Sequence, residues 1–343
     1  MLEEIREQPE TLARTLEEAR PFVAELRRRL EGRRPRLIVL AARGTSDNAA
    51  LFGRYLFEIT TGIPVSLAAP SVLTLYDARL DLEGALVVGI SQSGESTDTN
   101  FVVERARKLG AVTVGITNNA ESTLARLPDH LLLVRAGKEE SIAATKTYTG
   151  QLLLVYLLAQ ALGASIRDRD LKRIPDWASS ALRLEPEIRR RAERYRFLEE
   201  TVVVGRALNY ANAFEFALKL METCQVVAER FSSADFLHGP IAMVGLSFPV
   251  FLFAPADPTW PSLKQILERL RSRGAETLAI TDRSNPEAPS LADRVIVVPA
   301  RLPELYTPIP YIIPAQLLAA LLAQGKGLDP DRPRGLKKVT RTL

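Results

Sequence analysis

Compact apolar runs alternate along this chain with longer segments whose apolar residues recur at helical spacing. Each run has the length and composition of a buried parallel strand and is followed by a loop rich in glycine or hydroxyl residues. Strands that alternate with helices predict an α/β fold with a doubly wound, mostly parallel sheet. In the first half of the chain the runs lie at residues 36–46, 84–90, 111–117 and 130–134.

The segment before the first run predicts a helix. Its acidic residues come early and its arginines late, as the helix dipole favours. A helical stripe formed by Leu12, Leu16, Phe22 and Leu26 is expected to face the core.

The strand–helix pattern occurs twice. The segment ERARKLGAVTVGIT (104–117) returns as ERLRSRGAETLAIT (268–281), and GISQSGES (89–96) has its counterpart in LFAPADPT (252–259). A nearly constant separation of about 163 residues predicts two tandem copies of one α/β domain. The predicted organisation is an N-terminal helix (1–35), a first domain (36–165), a helical linker (166–198), a second domain (199–327) and a C-terminal tail (328–343).

The composition of the chain argues against several classes of function and of site. The 343 residues are 46% apolar and 25% charged, which is typical of a soluble globular protein. The 45 basic and 41 acidic residues are interleaved, so the pI of 9.2 does not indicate nucleic-acid binding. One cysteine and two histidines exclude a disulfide framework and a thiolate–imidazole zinc site. The charged N-terminus and the short apolar stretches at 152–164 and 312–323 predict a cytoplasmic protein without a membrane anchor.

The segment SQSGESTDT (91–99) is the clearest candidate binding loop. It follows an apolar strand and opens a helix, and it supplies several hydroxyls together with Gly94, which lets the backbone turn closely around a ligand. A helix N-terminus with free N–H groups favours an anion, although a serine-rich cap and turn would have the same sequence. Two further polar loops, GTS (44–46) and SIAATKTYT (141–149), predict a phosphorylated small molecule at the carboxyl ends of the strands. The second copy has APADPT in place of the serines, so only the first is expected to bind phosphate.

Candidates for chemistry lie mainly in the second copy. Glu215, Lys219 and Glu222 share one helix face, either as a surface ion-pair stripe or as partly desolvated groups that move protons. His238 lies in a loop, where histidines are often functional. Cys224 is expected to be a buried, inert thiol. Lys338 would by itself pass as a solvated lysine of the C-terminal tail.

These motifs together resemble the sugar isomerase (SIS) family. Within it the chain is similar to the isomerase half of glucosamine-6-phosphate synthase and to the stand-alone SIS-type glucosamine-6-phosphate deaminases, from about residue 36 to 343. The motifs, in the order found in the family, are RGTSDNA, SQSGESTDT, ATKTYT, ALKLMET, LHGP and DRPRGLKKVT.

The resemblance implies roles for particular residues. Glu222 would be the base that moves a proton between C1 and C2, His238 would open the sugar ring in the site of a partner subunit of a homodimer, and Lys338 would contact or form a Schiff base with the open-chain carbonyl. No metal or organic cofactor is implied. Implied substrate-binding residues are Ser46, Ser91, Gln92, Ser93, Ser96, Ile142, Lys219 and Ala144, the last standing where the family typically has serine.

The expected reaction is conversion of glucosamine 6-phosphate to fructose 6-phosphate and ammonia. Only about 35 residues precede the first strand, which leaves no room for a glutaminase domain and favours the deaminating direction. Two alternatives stay open among enzymes, a synthase-like isomerase and a deglycase of another 6-phosphosugar adduct. A sugar-phosphate sensor without catalysis is the alternative from another class, and it would not need Glu222, His238 and Lys338 together.

Overall fold

The computed structural model describes residues 1–32 and 34–338, which form two compact units. The first unit contains the described residues of 10–139, residues 144–173, and residues 337 and 338. The second unit contains residues 1–9, 140–143 and 174–336. Each unit is built on one five-stranded parallel sheet flanked by helices, which confirms the predicted fold class.

The sheet of the first unit has the strand order β2-β1-β3-β4-β5. All seven residues of its central strand, β3, are buried, because helices cover both faces of a parallel sheet and its strands are therefore apolar throughout. The strands are β1 (Leu37–Ala41), β2 (Val65–Leu67), β3 (Ala85–Ser91), β4 (Val112–Thr117) and β5 (His130–Leu133).

The eight helices within the described residues of 1–173 differ widely in length. The longest ones connect or cover the strands, and α7 is buried along almost its whole length. They are α1 (Leu2–Arg6), α2 (Gln8–Leu30), α3 (Thr45–Thr61), α4 (Pro70–Thr74), α5 (Thr97–Lys108), α6 (Thr123–Arg126), α7 (Lys146–Ala161) and α8 (Asp168–Leu171).

The second unit repeats this topology with the order β7-β6-β8-β9-β10. Its strands are β6 (Glu200–Gly205), β7 (Val227–Ser232), β8 (Pro249–Phe253), β9 (Glu276–Asp282) and β10 (Arg294–Val298). Its helices are α9 (Ile174–Leu182), α10 (Glu185–Arg194), α11 (Tyr210–Cys224), α12 (Ser233–Leu237), α13 (Trp260–Ser272), α14 (Ala288–Leu291) and α15 (Pro308–Gly325).

The two sheets also share an equivalent pair of threonine–aspartate hydrogen bonds. The hydroxyl of Thr113 donates to Asp129 Oδ2 at 2.7 Å and accepts the Asp129 N–H at 2.9 Å. In the second sheet the hydroxyl of Thr277 makes the same two bonds with Asp293, at 2.7 and 2.9 Å. Both pairs tie the fourth strand of a sheet to the start of its fifth, as the repeat of GAVTVGIT in GAETLAIT predicts.

The N-terminal segment departs from the predicted single helix. It forms two helices, α1 and α2, and the predicted buried position Phe22 is 49% exposed. Val23 is buried in its place. The reason is helical geometry, since position 23 lies two turns after Leu16 and on the same face, whereas position 22 is rotated away from it.

Helix α15 also corrects an expectation. Among residues 1–32 and 34–338, the window Glu304–Gly325 is the one helix long and apolar enough to cross a membrane, whereas the apolar run 312–323 had been expected to be too short. The 22 residues of Glu304–Gly325 include flanking positions that are polar or proline, and 94% of the apolar window within them is buried inside the protein. The hydropathy of α15 therefore reflects a core helix, packed against α9, α10 and α11.

Two edge strands, β2 and β7, were not predicted. β2 has only three residues, of which one is buried, and β7 carries Glu229 and Arg230 in its middle. A strand with one neighbour and exposed positions lacks the apolar run that marks the central strands, so pairing reveals it and hydropathy does not.

Candidate functional site

The predicted phosphate loop joins β3 to α5, at the carboxyl end of the central strand of the first sheet. The hydroxyl of Ser91 accepts the Gly94 N–H at 3.1 Å, which closes the turn. Gly94 has φ +71°, and a Cβ there would lie 2.0 Å from Ser122 Oγ, so no other residue fits. Ser93 and Ser96 are partly exposed and bring their hydroxyls to the start of α5.

This loop is hydrogen-bonded to the end of β4 and to the start of α6. The carbonyl of Gln92 accepts the Asn118 N–H at 3.1 Å and the Thr117 hydroxyl at 3.3 Å. The Glu95 carboxylate accepts both the backbone N–H and the hydroxyl of Thr123, at 2.9 and 2.8 Å. These hydrogen bonds fix the shape of the loop, and a fixed loop lowers the entropy cost of binding a ligand.

The GTS loop that follows β1 is joined to the phosphate loop and to α7. The buried hydroxyl of Ser46 accepts a hydrogen bond of 3.0 Å from Gln151 Nε2, and Gln151 itself has no exposed surface. Arg43 donates two hydrogen bonds, of 2.6 and 3.0 Å, to the buried Asp98 near the start of α5. The chain order reverses between β1 and β3, and ligands of doubly wound sheets bind at this switch point.

The third polar segment leads into α7 and is organised by one carboxylate. Glu139 accepts the N–H groups of Thr145 and Thr147 at 2.9 and 3.2 Å and the Thr147 hydroxyl at 2.8 Å. Its second oxygen also accepts a hydrogen bond of 3.2 Å from Lys338 Nζ. Glu139 therefore joins the predicted tail lysine to the first turn of α7.

Ile142 and Ala144, the other predicted substrate contacts in this segment, are half-buried and buried respectively. The Ile142 N–H donates to the carbonyl of Asp331 at 3.0 Å, which fixes its backbone within the second unit. The side chain of Ala144 offers no hydrogen-bonding group.

Helix α11 holds the predicted acid–base group. Lys219 Nζ lies 2.7 Å from Glu222 Oε2 and 3.4 Å from Glu215 Oε1, which confirms that the three residues share one face. This is not a surface stripe, because Lys219 and Glu215 have no exposed surface and only Glu222, at 24%, reaches solvent. Burial by itself lowers the pKa of Lys219, but the two carboxylates raise it more, so Lys219 stays charged.

His238 follows α12 directly and is exposed. Its backbone N–H donates to the Asp235 carbonyl at 3.1 Å, and the Ser232 hydroxyl caps the other end of this short helix. The imidazole is therefore presented on a locally ordered turn.

The segment of the second unit that corresponds to the predicted phosphate loop has a different composition. In the counterpart segment Asp257 accepts the Thr259 N–H at 2.8 Å, just before α13 begins. Burial raises the pKa of Asp257, although the Thr259 hydrogen bonds oppose this shift. A carboxyl group thus stands where the first unit has hydroxyls.

Cys224 is buried, as predicted, and its Sγ donates to the Ala319 carbonyl at 3.2 Å. Burial raises the pKa of this thiol to about 11, which keeps it protonated and unreactive at neutral pH. Within residues 1–32 and 34–338, no three His, Cys, Asp or Glu side chains lie together as a metal site would require.

Sequence reasoning missed four residues that shape the site, namely Arg43, Asp98, Gln151 and Glu139. Arg43 and Asp98 stand inside the quoted motifs RGTSDNA and SQSGESTDT, so their position was a signal that could have been used. Gln151 and Glu139 carry no such signal, because their respective partners Ser46 and Lys338 are distant in sequence.

The predicted site residues divide between the two units. Those of the second unit are Ile142, Lys219, Glu222 and His238. Those of the first unit are Ser46, Ser91, Gln92, Ser93, Ser96, Ala144 and Lys338.

Relatives of this chain include amino-sugar enzymes. Glutamine–fructose-6-phosphate aminotransferase (isomerizing) from Pyrococcus horikoshii is 36% identical over 349 residues, which is 98% of this chain and 57% of that protein. The chain therefore spans a little over half the length of such curated relatives.

Solved structures share the whole fold. The C-terminal domain of glucosamine-fructose-6-phosphate aminotransferase from Francisella tularensis superposes with a TM-score of 0.86 at 30% identity, covering 97% of this chain and 98% of that one. Glucosamine-6-phosphate deaminase from Thermotoga maritima has a TM-score of 0.76 at 23% identity, covering 99% of both chains, and shows a common fold alone. The sequence profile of the SIS domain matches residues 33–161 and 199–323. The chain therefore belongs to the SIS domain family.

Proposed function

We propose that this chain is a phosphosugar isomerase that converts glucosamine 6-phosphate to fructose 6-phosphate and ammonia. The observation that carries the proposal is the partly exposed carboxylate of Glu222, held at 2.7 Å by the buried ammonium of Lys219. A carboxylate oriented in this way is suited to remove and return one proton. The names of the relatives from Pyrococcus horikoshii and Francisella tularensis support the same class of substrate.

The hydroxyl loops of the first unit would bind the phosphate group. Ser91, Ser93 and Ser96 stand at the N-terminus of α5, where free N–H groups and the helix dipole favour an anion, and Ser46 and Gln92 complete the set. Neutral donors of this kind bind phosphate without adding a basic patch to the surface.

The chemistry would run in four steps. His238 assists ring opening, which exposes the C1 aldehyde. Glu222 then removes the proton from C2 and delivers it to C1, which leaves a C1 alcohol and a C2 imine. Water adds to the imine and ammonia leaves, so that fructose 6-phosphate is the product. Lys338 would contact the open-chain carbonyl during these steps.

The exposure of His238 supports its proposed role in a homodimer. An imidazole at the end of α12 is free to enter the site of a second copy, and each copy would then complete the site of the other. The proposal includes a cytoplasmic location, since charged sugar phosphates are retained behind a membrane.

The reaction is tested by incubating the protein with glucosamine 6-phosphate and measuring ammonia and fructose 6-phosphate together. Equal release of both is expected. Tight binding without turnover would indicate a sensor, and turnover of only an amino-acid–sugar 6-phosphate adduct would indicate a deglycase. Amination of fructose 6-phosphate without the reverse reaction would indicate a synthase-like isomerase.

The role of Glu222 is tested by Glu222→Gln. Exchange of the C2 proton with deuterated water is expected to stop, while fructose 6-phosphate still binds. Glu229→Gln is the matched control, because Glu229 is an exposed glutamate on β7 of the same unit. Exchange that survives in Glu222→Gln would show that another group is the base.

The shared site is tested by mixing two inactive variants, Glu222→Gln and His238→Ala. If His238 acts in the site of the partner subunit, mixed dimers regain one intact site, and activity returns on mixing. Activity that stays absent in verified mixed dimers would show that His238 does not act across subunits.

A further inference from the structure

The carboxylate of Glu139 is a fixed anion at the start of α7. Three hydrogen bonds from Thr145 and Thr147 hold it, two of them from backbone N–H groups, and its side chain has no exposed surface. Backbone donors cannot turn away as side chains can, so the position of this carboxylate is set by α7 itself.

Lys338 pairs with Glu139 at the N-terminal end of α7, where the helix dipole disfavours a cation. Its Nζ lies 3.2 Å from Glu139 Oε2, at the N-terminal end of a 16-residue helix. The N-terminus of a helix carries a partial positive charge that repels an ammonium group. The first residue of α7 is itself a lysine, Lys146, which adds a second positive charge at this end. The carboxylate of Glu139 therefore offsets this repulsion for Lys338.

We propose that Glu139 is the positioning residue for Lys338, holding its ammonium group 3.2 Å away at the first turn of α7 so that the amine is delivered to the open-chain sugar. The proposal rests on the proposed function, which assigns Lys338 to the substrate carbonyl. Lysine has a long flexible side chain that can place its ammonium group in many positions. Without a fixed partner the amine would spend most of its time out of reach of the sugar.

The kinetic test is Glu139→Gln, which removes the charge and retains the shape. We expect kcat to fall by about 10- to 100-fold with little change in KM, because a misplaced reacting group costs rate rather than phosphate binding. Glu139→Asp keeps the charge and should recover part of the loss. Lys337→Met is the matched control, since Lys337 is the exposed neighbour of Lys338, and it should leave kcat unchanged.

A second readout does not depend on turnover. Lys338 and Lys337 are acetylated with an N-hydroxysuccinimide ester, and the two products are quantified by mass spectrometry. In Glu139→Gln we expect Lys338 to react several-fold faster, because its ion pair with Glu139 is lost, while Lys337 reacts as before. Thr147→Val removes the other side-chain hydrogen bond to the same oxygen and keeps the charge, so it should leave the Lys338 rate within about twofold.

The outcomes separate the two proposals. An unchanged Lys338 rate in folded Glu139→Gln overturns the pairing, and a faster rate with unchanged kcat overturns the positioning role. A faster Lys338 rate in a protein that does not turn over glucosamine 6-phosphate overturns the proposed substrate and supports the pairing. If Glu139→Gln does not fold by circular dichroism, the pairing is tested in the wild-type protein, where Lys338 should be acetylated several-fold more slowly than Lys337, and equal rates of the two lysines overturn the pairing.

Discussion

Lys219 and Glu222 form an ion pair of 2.7 Å in which the lysine has no exposed surface and the glutamate has 24%. Glu215, also without exposed surface, lies 3.4 Å from the same ammonium. Lys219 thus neutralises the buried carboxylate of Glu215. It also orients the carboxylate of Glu222, which solvent can reach. This arrangement links the stability of α11 to the proposed chemistry of Glu222.

Replacing Lys219 by methionine is expected to destabilise the protein by about 3–5 kcal/mol, because the buried carboxylate of Glu215 loses the ammonium group that neutralises it. The free energy of unfolding in urea measures this loss. Lys264→Met is the control, since its ion pair with Glu287 lies on the surface and its removal should change stability little. A loss no larger than that of the control would show that the buried triad is not needed for folding.

The same variant has a defined pH dependence. The pKa of Lys219 is raised above 10.5, as the two carboxylates outweigh the effect of burial. A group with a raised folded pKa contributes stability that is complete below its unfolded pKa and is lost as pH rises through the folded value. The stability difference between wild type and Lys219→Met should therefore be constant from about pH 8 to 10 and shrink only above that range. Unfolding curves that converge below pH 10 would contradict this.

Gly94→Ala should disrupt the phosphate loop, whereas Gly110→Ala should not. Both glycines have positive φ, +71° and +83°, so both variants carry backbone strain of about 1–2 kcal/mol. Only at Gly94 would the new Cβ collide, 2.0 Å from Ser122 Oγ, while Gly110 faces open space. Calorimetric titration with fructose 6-phosphate should show binding weakened on the order of tenfold or more in Gly94→Ala and unchanged in Gly110→Ala. Equal affinities would argue against this loop as the phosphate site.

Thr113→Val and Thr277→Val remove equivalent hydroxyls from the two sheets. Each should cost about 1–3 kcal/mol, because each leaves the aspartate N–H without its hydroxyl acceptor and removes one of the hydrogen bonds to the aspartate carboxylate. Burial raises the pKa of Asp129, but hydrogen bonds from Thr113 and the charge of Arg107 lower it further, so the net shift is downward.

A lowered folded pKa contributes stability above the unfolded value of 3.8 that is lost as pH falls through the folded one. The cost of Thr113→Val should thus be full at neutral pH and decline in acid. Denaturant unfolding at several pH values measures it, and a cost that grows in acid would contradict the assignment.

Cys224 should resist alkylation in the folded protein. Its thiol is buried and its pKa is raised to about 11, so both access and thiolate are lacking at pH 8. Labelling with iodoacetamide followed by mass spectrometry should show modification only after denaturation. Rapid labelling of folded protein would indicate that α11 opens locally.

Much of the fold was predictable because its signals are local. The central strands are apolar throughout, the glycine and hydroxyl residues mark the loops, and the repeat of the motif around Thr113 at Thr277 predicts two related sheets. The edge strand β2 escaped prediction, because pairing with β1 defines it rather than its own composition. Phe22 was placed wrongly because an apolar residue one position off the helical stripe looks the same in sequence.

By itself, the sequence determined the α/β class, the duplication, the hydroxyl loops and the shared helix face of Lys219 and Glu222, since each depends on residues close together in the chain. The tertiary structure alone decided what surrounds them. It buries Lys219 completely, joins Arg43 to Asp98, and brings Lys338 to Glu139 across 199 positions of sequence. The burial of a side chain and its ion pairs depend on the residues around it in space, and folding is what brings those residues together.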